Sequence, residues 1–108
     1  MESNNITHCT SLDEVRLNID KIDNALVKLI ADRSRYVDQA AQFKKTTNDV
    51  VAVDRVSLVI NKVKSLAEQH SLDPSIVEKV YRTMIRVFTE EELAKQNPLY
   101  SDMKKSYY

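Results

Sequence analysis

A chain of 108 residues without one glycine lacks the loops on which several large functional classes depend. P-loops, GxGxxG turns and nucleophile elbows need glycine where the backbone reaches positive φ or closes on a phosphate. Sixteen basic side chains balance sixteen acidic ones, so a net charge of zero gives no global pull toward nucleic acid or an anionic membrane.

Residues 1–9 are polar and lack the basic and apolar regions of a signal peptide. Cys9 is the single cysteine, too few for an internal disulfide or a CxxC metal site. No apolar run approaches the roughly 18 residues of a membrane span. A cytoplasmic location is the default expectation.

The first predicted helix runs from Thr10 to Thr46. Ser11-Leu12-Asp13-Glu14 fits a capping box, with the Ser11 hydroxyl accepting from the Glu14 N–H and the carboxylate reaching back. Leu12, Val15, Ile19, Ile22, Leu26, Leu29, Arg33, Tyr36, Ala40 and Phe43 follow in alternating steps of three and four, a heptad seam. Thr46-Thr47-Asn48-Asp49 is the expected break. Val50 to Val53 is apolar and β-branched, but no partner strand accompanies it, so a packed loop is expected.

A second helix is predicted from near Asp54, with Val56, Val59, Ile60, Val63, Leu66 and Ala67 on its apolar stripe, ending around Gln69-His70-Ser71. Asp73 suits an N-cap and Pro74 the first helical position, so a third helix starts there. Its stripe is Val77, Val80, Tyr81, Met84, Ile85 and Phe88, and Pro98 closes it beyond about Gln96. The expectation is an all-α fold: a three-helix protomer with one long N-terminal helix. One helical domain spans 10–97, after the polar segment 1–9 and before a mobile tail at 98–108.

A helix of about 35 residues is roughly 52 Å long. A compact domain of this size has a radius of gyration near 13 Å. One protomer therefore cannot bury the whole seam, and a second copy in a two-fold dimer is the simplest cover.

Several charges fall on otherwise apolar faces. Arg33 sits in the seam, where it sets register through a carboxylate, snorkels, or meets a ligand. Lys44 lies three turns further on the same side if the helix continues. Arg16 flanks the seam, Arg55 lies on the inner side of the second stripe, and Glu92 continues the third stripe four residues after Phe88. Buried charges need compensation. A small polyanion between helices would supply it, since arginine binds carboxylates bidentately. No His, Cys, Asp or Glu group has metal-ligand spacing, and no nucleophile–base pair is evident. The expectation is catalysis without metal or cofactor, by positioning and electrostatics, or a non-catalytic helical dimerisation or regulatory module whose charges pair only internally.

Leu12-Asp13-Glu14-Val15-Arg16, Ile19-Asp20-Lys21-Ile22-Asp23, Leu29-Ile30-Ala31-Asp32-Arg33, Phe43-Lys44, Asp54-Arg55 and Leu72-Asp73-Pro74 stand in an order and spacing that resemble the all-helical chorismate mutase family, over about residues 10 to 96. Cys9-Thr10, Tyr36-Val37 and Ala40-Ala41 resemble the branch that includes isochorismate-pyruvate lyases of salicylate synthesis. The resemblance implies an intertwined homodimer with two equivalent sites. It implies that Arg33, Lys44 and Arg55 of one protomer, with Arg16 of the other, surround chorismate or isochorismate. Arg16 and Arg33 match carboxylate clamps, Lys44 the lysine at the ether oxygen, and Arg55 the second-helix arginine. Glu92 matches the residue on the other side of that oxygen, and as a carboxyl it donates there only when protonated. Three positions depart from the mutases. Val56 replaces a glutamate that accepts from the ring hydroxyl, with Ala52 replacing an acid just before it, and Phe88 replaces a small hydroxyl residue. Val56 and Phe88 thus belong to the expected substrate surface and tilt it toward the lyases, whereas Glu92 stands where those enzymes carry glutamine.

Overall fold

The computed structural model describes residues 6–44 and 52–96. All regular structure among them is helical: α1 Leu12–Ala41, α2 Val53–Gln69 and α3 Pro74–Gln96. No helix among the described residues is long and apolar enough to cross a membrane. The chain divides into two compact units, one holding α1 as far as Ala40, the other beginning at Ala41 and holding α2 and α3. The tail at 98–108 and the proposed break at 46–49 lie outside the described residues.

α1 starts where the capping pattern places it. The Glu14 N–H donates to Ser11 Oγ at 3.1 Å. The Glu14 carboxylate reaches one residue past Ser11 and accepts from the Thr10 N–H at 3.4 Å and the Thr10 hydroxyl at 3.2 Å. Asp13 and Glu14 also place negative charge at the positive end of the helix dipole. Asn18 Nδ2 donates to the Glu14 carbonyl at 2.9 Å and lies 3.6 Å from Cys9 Sγ, tying the lead-in to the second turn. On the outer face Asp32 accepts from Lys28 and Arg35, both at 2.9 Å. The Lys28 hydrogen bond, more than any other influence, holds that exposed carboxyl below its ordinary value.

The end of α1 differs from the expected Thr46. The helix closes at Ala41, and the Lys44 N–H takes the Ala41 carbonyl at 3.2 Å, an i→i−3 bond of the kind that tightens a terminal turn. Phe43 is 82% exposed, so no packing carries the helix onward. α1 buries none of its residues. Ile22 and Leu29 on its seam are 56% and 62% exposed.

α2 begins at Val53, one residue before the expected Asp54, because the Val56 N–H closes the first ring on the Ala52 carbonyl at 3.1 Å. Val50 and Val51 lie outside the described residues. Ala52 is the N-cap at φ 26° and offers no side-chain acceptor. Ile60, Val63 and Ala67 are buried and face α3. Burying Ile60 and Val63 contributes about 1.5–3 kcal/mol each. Leu66, expected on this stripe, is 40% exposed. Ala67, beside it on the predicted stripe, takes the inner position and is 4% exposed.

The link at 70–73 turns the chain back without glycine. His70 caps α2, Ser71 takes φ 58°, the Leu72 N–H donates to Ala67 O at 2.9 Å and the Ser71 N–H to Glu68 O at 3.2 Å. These are the two bonds of a Schellman motif, with serine in the left-handed position. Asp73 then caps α3, its Oδ1 accepting from the Ser75 N–H at 2.9 Å. Pro74 occupies the first helical position, where a missing N–H leaves nothing unsatisfied. Between the helices Glu78 meets Lys64 of α2 at 3.4 Å, and within α3 it meets Arg82 one turn on at 2.8 Å. Val77, Tyr81, Met84, Ile85 and Phe88 are half-buried on α3 and Glu92 is buried, whereas Val80 is exposed.

Candidate active site

Glu92 lies one turn after Phe88 on the packed stripe of α3, at the end of the α2–α3 hairpin away from the 70–73 link. Its side chain is 10% exposed. A carboxylate in that position requires a cation. Lys44, 48 residues earlier, supplies it: Nζ donates to Oε1 at 3.4 Å and lies 3.4 Å from Oε2. The second contact is electrostatic only. Oε2 is enclosed and receives no hydrogen bond among the described residues.

This pairing has a different origin from the expected one. Counting three turns from Arg33 presumes a helix through Lys44. With α1 closed at Ala41, Lys44 belongs instead to the segment that precedes α2, in the unit that holds Glu92. The sequence signal for Glu92 was its place on an apolar stripe; no local signal named its partner.

Val56 of α2 and Phe88 of α3 are half-buried in the same unit. Val56 presents only methyl groups and cannot accept from a hydroxyl. Arg55 is exposed at the start of α2, rather than inward as its spacing from Val59 predicts. Arg16, exposed, and Arg33, half-buried, lie on α1 in the other unit. The hairpin thus assembles Lys44 with Glu92. Seventeen positions of continuous helix separate Arg16 from Arg33, about 25 Å along the axis. Among the described residues no three His, Cys, Asp or Glu side chains stand together as metal ligands. A paired ammonium and carboxyl can bind an ether or carbonyl oxygen and stabilise charge that develops on it.

A family model described as chorismate mutase type II matches residues 15–93, a span that includes Arg16, Arg33, Lys44, Arg55, Val56, Phe88 and Glu92. An isochorismate pyruvate lyase of Pseudomonas aeruginosa is 31% identical over 85 residues, covering 79% of this chain and 84% of that protein. A chorismate mutase of Methanocaldococcus jannaschii is 29% identical over 75 residues, covering 68% of this chain and 76% of that protein.

Proposed function

The chain belongs to the type II chorismate mutase family, and on that premise we propose that it catalyses the [3,3] rearrangement of chorismate to prephenate. The observation that carries this reading is the approach of Lys44 to Glu92 within 3.4 Å. These are the two side chains that the resemblance assigns to opposite sides of the breaking ether bond. As that C–O bond lengthens, negative charge gathers on the oxygen. A fixed ammonium stabilises the charge more in the transition state than in the ground state. Holding the enolpyruvyl arm over the ring lowers the entropic part of the barrier.

The arginines complete the proposed site. Arg33 and Arg55 of one protomer and Arg16 of its partner clamp the two carboxylates, with Val56 and Phe88 against the ring. For one copy to supply both Arg16 and Arg33, the side chains would have to stretch toward each other along α1. A second copy removes that demand. The exposed seam of α1 supports the same intertwined homodimer, since a two-fold partner would cover it. No metal or cofactor takes part, and neither nucleic acid nor membrane is a partner. The enzyme works in the cytoplasm.

A second reading, isochorismate-pyruvate lyase, is favoured by Val56. Without an acceptor there, the ring hydroxyl of chorismate loses its expected partner, and the 31% identical relative is named as that lyase.

The test is incubation of the purified protein with chorismate and with isochorismate separately, beside Lys44→Ala. Prephenate from the first is expected, with kcat at least about tenfold lower in the variant, as for loss of one oxyanion donor. Salicylate and pyruvate from the second alone establish the lyase reading. Neither product from either substrate reduces the fold to a dimerisation module.

A further inference from the structure

The first half of α1 is bare. Between Ser11 and Ile30 every residue is exposed except Glu14 and Asn18, which are half-buried. Both are engaged by the lead-in to the helix. Thr10 donates twice to the Glu14 carboxylate, from its N–H at 3.4 Å and its hydroxyl at 3.2 Å. Asn18 Nδ2 donates to the Glu14 carbonyl at 2.9 Å and lies 3.6 Å from the half-buried Cys9 Sγ. That sulfur in turn lies 3.7 Å from the Thr7 carbonyl oxygen. The Ser11 hydroxyl completes the set at the Glu14 N–H. The lead-in is thus held along the first two turns of α1 by polar contacts.

Ordering such a segment costs conformational entropy. No large apolar side chain offsets it, since Ile6 is 77% exposed. The consequence falls on the helix. A first turn has N–H groups without intrahelical partners, and helix ends fray. Arg16 stands one turn beyond Leu12, so its helical N–H bond runs to the Leu12 carbonyl and is lost when that turn opens. The Arg16 side chain gives no hold of its own. It is exposed and makes no ion pair among the described residues, although Asp13 and Asp20 stand one turn to either side. We propose that the lead-in is a positioning device for Arg16: Thr10, Glu14 and Asn18 keep the first two turns formed, so that Arg16 reaches the other copy's site already ordered. This rests on the reading that places Arg16 in that site. An opened first turn lowers the fraction of chains competent to bind. Bound ligand restores that fraction, so apparent affinity falls while the bound state reacts as before. The signature is a raised KM at unchanged kcat.

The experiment compares two mixtures, each refolded from an Arg16→Ala chain, which retains Lys44, and a Lys44→Ala chain, which supplies Arg16. Only the mixed dimer then holds an intact site, and its KM for chorismate does not depend on how many such dimers form. Glu14→Ala is added to the Lys44→Ala chain in the first mixture and to the Arg16→Ala chain in the second. In the first, KM is expected to rise about fivefold, the factor that loss of one helix cap corresponds to, with kcat unchanged. Glu14→Gln in the same chain should restore it, because an amide oxygen still accepts from Thr10. In the second, KM should stay at the value found without any Glu14 variant. Equal KM in the two mixtures overturns the proposal: raised in both, Glu14 acts on the fold at large; raised in neither, Arg16 needs no brace. A rise that Glu14→Gln leaves in place also overturns it, by assigning the effect to the charge of Glu14 rather than to its bonds. Mixtures that stay inactive beside a wild type that converts chorismate remove the shared site, and the inference with it. A wild type that leaves chorismate unchanged removes the mutase reading itself.

Discussion

Two carboxylates show what a single residue reveals before its surroundings are known. Asp73 was legible: an aspartate before proline, ahead of an apolar stripe, is a cap whose partners lie within three residues. Glu92 was legible as a misplaced charge, since it follows Phe88 on the packed face. Its partner was not, because Lys44 reaches it from 48 residues away, and its position depends on where α1 stops. Asp73 also makes a pH prediction. The Ser75 N–H bond, with Lys79 adding its charge, holds the carboxyl below the ordinary 3.8. A value lowered on folding means that the ionised cap stabilises α3 above the unfolded pKa. That contribution fades as pH falls through the folded one. Asp73→Ala should therefore lower the urea midpoint at neutral pH, and its gap from wild type should narrow steadily below pH 3.8. A gap that stays constant into acid would show that the cap is not the source of the effect.

Helix starts were easier to read than helix ends. α2 and α3 begin within a residue of expectation because caps and prolines are local signals. α1 ends at Ala41 rather than Thr46 because termination was settled by one backbone bond, Lys44 N–H to Ala41 O, and by an unpacked Phe43. The 70–73 link is the more instructive end. A Schellman turn normally places glycine at its left-handed position; this chain has none and uses Ser71 at φ 58°. A residue with a Cβ costs about 1–2 kcal/mol there. Ser71→Gly should recover about 1 kcal/mol of that, less the added freedom of the unfolded chain. Urea unfolding monitored by circular dichroism is the check. A midpoint equal to or below wild type would mean that the serine fits this turn without cost.

For the whole molecule, the decisive feature is a 30-residue helix that buries nothing. That one protomer would leave its seam uncovered was legible in length and heptad spacing alone, because both follow from chain geometry. The composition of the proposed site came from the family resemblance instead, since Arg16 and Arg33 on one helix say nothing local about which copy each serves. The dimer reading makes a sharp prediction. Arg16→Ala and Lys44→Ala should each be inactive, yet equal amounts unfolded and refolded together should recover about a quarter of wild-type activity. Random pairing makes half the dimers mixed, and each mixed dimer holds one intact site of two. Activity no greater than the separate variants would place Arg16 and Lys44 in the same copy's site.

The enclosed Oε2 of Glu92 also bears on which molecules the proposed site should favour. The substrate's own oxygen is the wrong partner for an ionised carboxylate. A hydroxyl or amide N–H at that point would satisfy Oε2 and leave the Lys44 pair in place. Substrate analogues that carry a donor at that oxygen should therefore inhibit this protein more tightly than analogues that carry an acceptor there.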